Sequence, residues 1–216
     1  MQPPFLYDSH NLAALSRCVS AARLQRYVAI AGGDTAQALR LYMWNTALSE
    51  SLYGPLQGIE ITLRNKIDER LSAAFGAHWY DNPKIGIQFA QQRQINDAKS
   101  SLQFQKKPLD HTRMVAELTF GFWVGLLGTR YENLWRAHLR KIFVNTSTPL
   151  VRKDAHKALN EIRYLRNRIA HHESILHRPL PDEHALILAV IRWCCAVTAD
   201  WVAHHSRFDD VYRLRP

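Results

Sequence analysis

The chain has 216 residues, 47% of them hydrophobic, and a formal charge of +9 with a pI near 9.7. That length supports one sizeable core, and the positive excess points toward polyanionic partners, nucleic acid or an anionic membrane. The composition excludes a disulfide framework, because Cys18, Cys194 and Cys195 are the only cysteines.

The dominant period is helical, and seven helices are expected. The first spans about Asp8 to Ala31, with Leu12, Leu15, Val19, Ala22 and Tyr27 on one face and Gly32-Gly33 as its stop. Asp34 then caps the next, with Gln37 three residues on as in a capping box. That helix runs to about Tyr53, where Gly54-Pro55 breaks or kinks it, and the helical pattern continues from Pro55 to Phe75. A loop from Gly76 to Gly86 carries Trp79-Tyr80, the aromatic pair expected to be most exposed. Further helices are expected at Ile87–Phe104, His111–Leu127 (capped by Asp110), Tyr131–Phe143, Pro149–His172 and Asp182–His205. Pro149 suits a first helical position. No strand pattern stands out, so the expected fold class is all-α.

The longest apolar stretch, Ala185 to Cys195, is too short to span a bilayer and contains Arg192. The opening Met1-Gln2-Pro3-Pro4-Phe5 lacks the order of a secretory leader. With Cys194 and Cys195 read as small buried hydrophobes, a cytoplasmic location without membrane attachment is expected. The whole chain, 1–216, reads as one helical domain, with an N-terminal part of about 8–105 and a C-terminal part of about 110–205.

One internal echo stands out. Leu63-Arg64-Asn65-Lys66-Ile67 matches Leu165-Arg166-Asn167-Arg168-Ile169 at every position if Lys is allowed for Arg. Only the second copy leads into a histidine pair, Ala170-His171-His172-Glu173.

On an ideal helix Asn167 and His171 lie ~40° apart, whereas Arg166 and His171 lie ~140° apart. One straight helix would not aim the latter pair at one atom, so a second helix or subunit should complete the site. Histidine and arginine together suit metal-independent RNA cleavage. An imidazole takes a proton from a ribose 2′-OH, and a guanidinium grips the phosphate oxygens. DNA lacks that hydroxyl. The bland alternative is that both histidines merely cap the helix C-terminus. Neighbouring histidines point ~100° apart and rarely share an ion, so neither metal nor cofactor is expected. Glu173 should pair with a nearby cation. Most tryptophans should pack in the core, and His10, His78, His111, His138, His156, His177, His184, His204 and His205 read as surface residues.

Arg166-Asn167-x3-His171-His172 resembles the Arg-x4-His signature of the HEPN superfamily, and its surroundings resemble the Abi-like (abortive infection) branch. Glu60-Ile61-x-Leu63-Arg64-Asn65, Tyr42-x-Trp44-Asn45 and Phe120-Gly121-Phe122-Trp123-x-x-Leu126 are similar to other motifs of that branch. The resemblance covers about residues 12 to 205. It implies a HEPN-like helical bundle with extra N-terminal helices, a homodimer with facing motifs, and endoribonuclease activity in phage defence or toxin–antitoxin systems, with a possible antitoxin partner. It also implies that Arg166 and His171 are the catalytic pair and Asn167 the polar residue beside them. His172, Glu60, Arg64 and Asn65 would support them. Glu173-Ser174-Ile175 departs from the polar ending of many relatives, which touches substrate choice. Arg163, Arg168, Lys157 and Arg178, with Arg152 and Lys153, are candidate RNA-binding cations. A non-catalytic RNA-binding module and a protein-interaction element are the competing readings.

Overall fold

The computed structural model describes residues 5–216, so the reading of the opening Met1–Pro4 lies outside the described residues. Among the described residues the fold is all-helical, with eleven α-helices joined by short 3-10 turns and no strand. The expected seven become eleven because three of the anticipated helices are each split in two and a short helix follows the last of them. None of the helices is long and apolar enough to cross a membrane.

The first expected helix is two, α1 (Ser9–Val19) and α2 (Ala21–Ile30), separated at Ser20 by a positive φ of 76°. The axis of the molecule is α3 (Thr35–Phe75), 41 residues long and about 60 Å from end to end. Asp34 caps it as expected, its Oδ1 accepting from the Gln37 N–H at 3.0 Å. The expected break at Gly54-Pro55 does not occur, and Pro55 sits buried inside the continuous helix. Proline removes one helical hydrogen bond. Against that loss stands an unbroken buried stripe on both sides of it, Leu48, Leu52, Leu56, Ile59, Leu63, Ile67 and Leu71, and the packing overrides the local penalty. One turn later Gly58 allows close approach of the C-terminal helices: a Cβ there would stand 2.9 Å from Val202 Cγ2.

The loop expected at Gly76–Gly86 folds into two 3-10 turns, Trp79–Asp81 and Pro83–Ile85. It buries Trp79 and Tyr80 rather than exposing them. Trp79 packs on Phe122 and Trp123 while its Nε1 donates to Asp68 Oδ1 at 2.8 Å. Its polar edge is satisfied inside, so burial costs it nothing in hydrogen bonding. Helix α4 (Phe89–Phe104) follows. The next expected helix divides into α5 (His111–Glu117) and α6 (Phe120–Gly125) at an extended Leu118, with Thr119 capping the second piece. Asp110 caps α5 through the Arg113 N–H, as expected. The Tyr131–Phe143 segment is a short α7 (Glu132–Ala137) between 3-10 turns.

Helix α8 (Arg152–Ala170) begins three residues after Pro149, with Val151 at the N-cap. The last expected helix is α9 (Leu180–Cys194) and α10 (Ala196–His205), broken at an extended Cys195, and α11 (Phe208–Arg213) adds a turn the sequence pattern did not announce. The two cysteines therefore differ. Cys194 is buried, and burial pushes its thiol up to about 12. Cys195 caps α10 and is only partly buried, its thiol lowered by hydrogen bonding to Thr198. Helix α3 packs against α2, α6, α8, α9, α10 and α11; the main core runs along this longest helix, and Tyr27, Ala38 and Leu41 form a small second cluster where α2 meets its start.

Candidate functional site

The C-terminal end of α8 lies against the middle of α3. Buried Leu159, Ile162 and Leu165 fix one face of α8 in the core, and this turns Arg166 toward α3. Arg166 Nε donates to Glu60 Oε1 at 2.8 Å. The guanidinium is partly exposed, and its Nη1 and Nη2 make no hydrogen bond among the described residues. Glu60 and Arg166 share a cleft of about 450 Å³ with Arg64, Tyr53, Leu118 and Phe120. That volume suits a nucleotide-sized ligand. Arg64 also donates from Nε to its neighbour Asn65 Oδ1 at 3.1 Å. The two copies of the internal echo thus meet: Arg64 and Arg166, equivalent in the repeat, line one cleft.

His171 and His172 do not line this cleft. They form the end of α8 and are exposed. The termination is a Schellman motif: His172 N–H donates to Ile169 O at 3.0 Å and Glu173 N–H to Arg168 O at 2.9 Å. The position that normally holds glycine in the left-handed region is His172, with φ 54°. A histidine there carries backbone strain that glycine would not. Two distant groups hold the turn. Arg23 on α2 donates from Nη1 to His172 O at 3.0 Å, and the buried Asn45 Oδ1 accepts from Ile175 N–H at 2.8 Å. Asn167 sits one turn before His171 and contributes its carbonyl, which accepts from the His171 N–H at 2.9 Å; no side-chain bond joins the two among the described residues. The helix-capping alternative is thus true of the backbone at both histidines, and it leaves their exposed rings uncommitted.

The expected cation partner of Glu173 is Arg168, 3.1 Å away. Arg168 Nη2 also reaches Ser174 O at 3.4 Å. Of the other candidate cations, Arg178 is engaged by Glu183, which accepts from its Nε at 2.8 Å and also from its Nη2. Arg163 is held by Asn160, and Lys157 is exposed with no ion pair among the described residues. Gly121 on α6 faces Arg163, although a Cβ would still find 3.8 Å to Arg163 Cδ, so the contact does not require glycine. His184 is not a surface residue as expected. It is buried, bonded to Ser206 Oγ at 3.0 Å and stacked on Phe208.

Sequence reasoning missed the supports of the histidine turn. Asn45 belongs to Tyr42-x-Trp44-Asn45, which stood out as a motif but gave no sign of its partner 130 residues away. Trp44 of the same motif donates from Nε1 to Val211 O at 2.9 Å, in the unexpected last helix. Arg23 carried no signal at all.

A family model described as Abi-like protein matches residues 11–177, which take in α1 through the turn after α8. No curated protein and no solved structure matches the chain.

Proposed function

The chain belongs to the Abi-like protein family, and from that premise we propose that it is a metal-independent endoribonuclease of HEPN type acting in abortive infection. The observation that carries this reading is the hold of Glu60 on Arg166. By taking the Nε edge, Glu60 turns the guanidinium into the cleft and leaves the two Nη groups for a phosphate.

In the proposed reaction His171 removes the proton from a ribose 2′-OH. The 2′ oxygen attacks the adjacent phosphorus, and Arg166 stabilises the charge on the phosphorane. The P–O5′ bond then breaks, and a protonated histidine returns a proton to the leaving 5′ oxygen. The products are a 2′,3′-cyclic phosphate and a 5′-hydroxyl end. Asn167 orients His171 or contacts the phosphate; His172, Arg64 and Asn65 support the pair.

Arg166 and His171 leave α8 in different directions, so a homodimer with facing motifs supplies the convergence that one chain lacks. The uncovered cleft and the exposed histidines are compatible with such a pairing. Restraint by an antitoxin protein would suit an enzyme that kills or arrests its host. A binding-only function has one observation in its favour, the position of His171 outside the cleft. Incubation of the purified protein with total cellular RNA in EDTA separates these readings. Cleavage lost in both Arg166→Ala and His171→Ala supports the nuclease. Binding without cleavage by the wild type supports the alternative, and cleavage that requires added metal contradicts the mechanism.

A further inference from the structure

We propose that the outer face of α8 is a track for single-stranded RNA, which enters at the basic cleft at the helix start and ends at His171. The proposal rests on the ribonuclease reading above and adds to it the strandedness and path of the substrate.

With ~100° per residue, Lys153, Lys157, Asn160, Tyr164, Asn167 and His171 fall within about 40° of one line along the helix. The line is about 27 Å long from Lys153 to His171. No carboxylate lies on it. Asp154 and Glu161 are ~80–100° round the helix. Lys153, Lys157, Tyr164 and His171 are exposed, and neither lysine has an ion pair among the described residues.

At the start of the line a separate cleft of about 570 Å³ is lined by Arg140, Lys141 and Lys153, together with Arg136 and Arg152. Glu132 engages Arg152 and Arg136, at 2.7 and 2.9 Å. Arg140, Lys141 and Lys153 have no such partner among the described residues. The uncommitted positive charge therefore collects at one end of the line and continues along it as lysines. Phosphates are the complementary ligand.

Tyr164 lies midway along the remaining stretch, two helical turns before His171. The residue is 52% exposed, although it is a large aromatic on a helix whose other face is core. The Arg163 guanidinium lies 4.8 Å from the ring centroid. Asn160 Oδ1 fixes that guanidinium by accepting from its Nε and Nη2 at 3.0 and 2.8 Å. A guanidinium held against an exposed ring makes a rigid platform for an unpaired base. A duplex hides its base faces and cannot use such a platform, so the arrangement selects a single strand. The sequence of features is phosphate cleft, lysines, stacking ring, then histidine. It brings a ribose to the end of the helix after the strand has been bound.

The test measures fluorescence anisotropy of a labelled short single-stranded RNA, and of its duplex, as salt is varied. It uses the full chain carrying His171→Ala, so that binding is read without cutting, and wild-type cleavage is assayed beside it. The salt slope of single-strand binding should fall by about 1.4 in Lys153→Ala/Lys157→Ala, at about 0.7 per phosphate contact. Tyr164→Ala should weaken binding roughly 5- to 150-fold while Tyr164→Phe retains it. These residues are exposed, and circular dichroism checks that each variant is folded. If the wild type cuts RNA but the lysine and Tyr164→Ala variants bind as tightly as their parent, the track is wrong and the nuclease reading stands. If the wild type neither binds nor cuts RNA, the nuclease reading fails and the track falls with it.

Discussion

Arg166 Nε and Glu60 Oε1 meet at 2.8 Å, joining the end of α8 to the middle of α3 across 106 positions of sequence. Both side chains are partly exposed, so the pair contributes little to stability, about 0–1 kcal/mol. In the proposed reaction the pair aims the guanidinium. Glu60→Ala should therefore leave the thermal midpoint almost unchanged and lower RNA cleavage about 100-fold, the scale of a misplaced catalytic group. Arg166→Lys keeps the charge but loses the fork, and should fall nearly as far as Arg166→Ala. A melting curve and a cleavage assay on the same preparations check both outcomes.

Asn45 holds the turn that follows the histidines. Its Oδ1 is the acceptor for a fully buried Ile175 N–H. Asn45→Leu strands that donor and should cost about 1–3 kcal/mol in chemical denaturation. Hydrogen exchange should quicken at Ile175 more than in the middle of α8. Unchanged exchange there would show that the turn is held by something else.

His172 occupies a left-handed position that favours glycine. His172→Gly should raise stability by up to about 1 kcal/mol, because the left-handed penalty is of order 1–2 kcal/mol and glycine returns part of it as chain entropy. His172→Ala keeps the strain and gains nothing. If cleavage falls in His172→Gly while stability rises, the imidazole is retained for chemistry rather than for the fold.

Burial pushes the pKa of His184 down. His138, His156 and His177 are shifted the same way, by desolvation first and by nearby cations second. A histidine whose folded pKa lies below its unfolded value takes up its proton more readily when unfolded. Stability is then full above the ordinary histidine range near 6.5 and declines as pH falls through it. The thermal midpoint should drop between pH 7.5 and 5.5, a window that spans about one unit either side of that value. His184→Gln should flatten part of the drop. An equal slope in wild type and variant would place the effect on the other three residues.

The helical class was legible because the apolar stripes of α3 and α8 are long and regular. Two caps, Asp34 and Asp110, were also readable from their local patterns. The number of helices was not, because the breaks at Ser20, Leu118 and Cys195 involve neither glycine nor proline. At Pro55 the opposite happened, and tertiary packing carried the helix through a breaker. For the site, the sequence marked Arg166, Glu60 and Arg64 through motif spacing, and the fold brings them to one cleft. The left-handed turn at His172 and its props Arg23 and Asn45 depend on contacts more than a hundred residues away. No local pattern encodes such contacts.

In the proposed reaction the 2′-OH of the substrate is the nucleophile, activated by His171, and Arg166 stabilises the phosphorane. A short single-stranded RNA should be compared with the same strand carrying one 2′-deoxy residue at the mapped cut, both in EDTA. The RNA should be cut to a 2′,3′-cyclic phosphate and a 5′-hydroxyl, the single deoxy substitution should abolish that cut, and Arg166→Ala and His171→Ala should abolish it on the unmodified strand. Cutting at the deoxy position, or cutting that survives both substitutions, would contradict the proposed reaction.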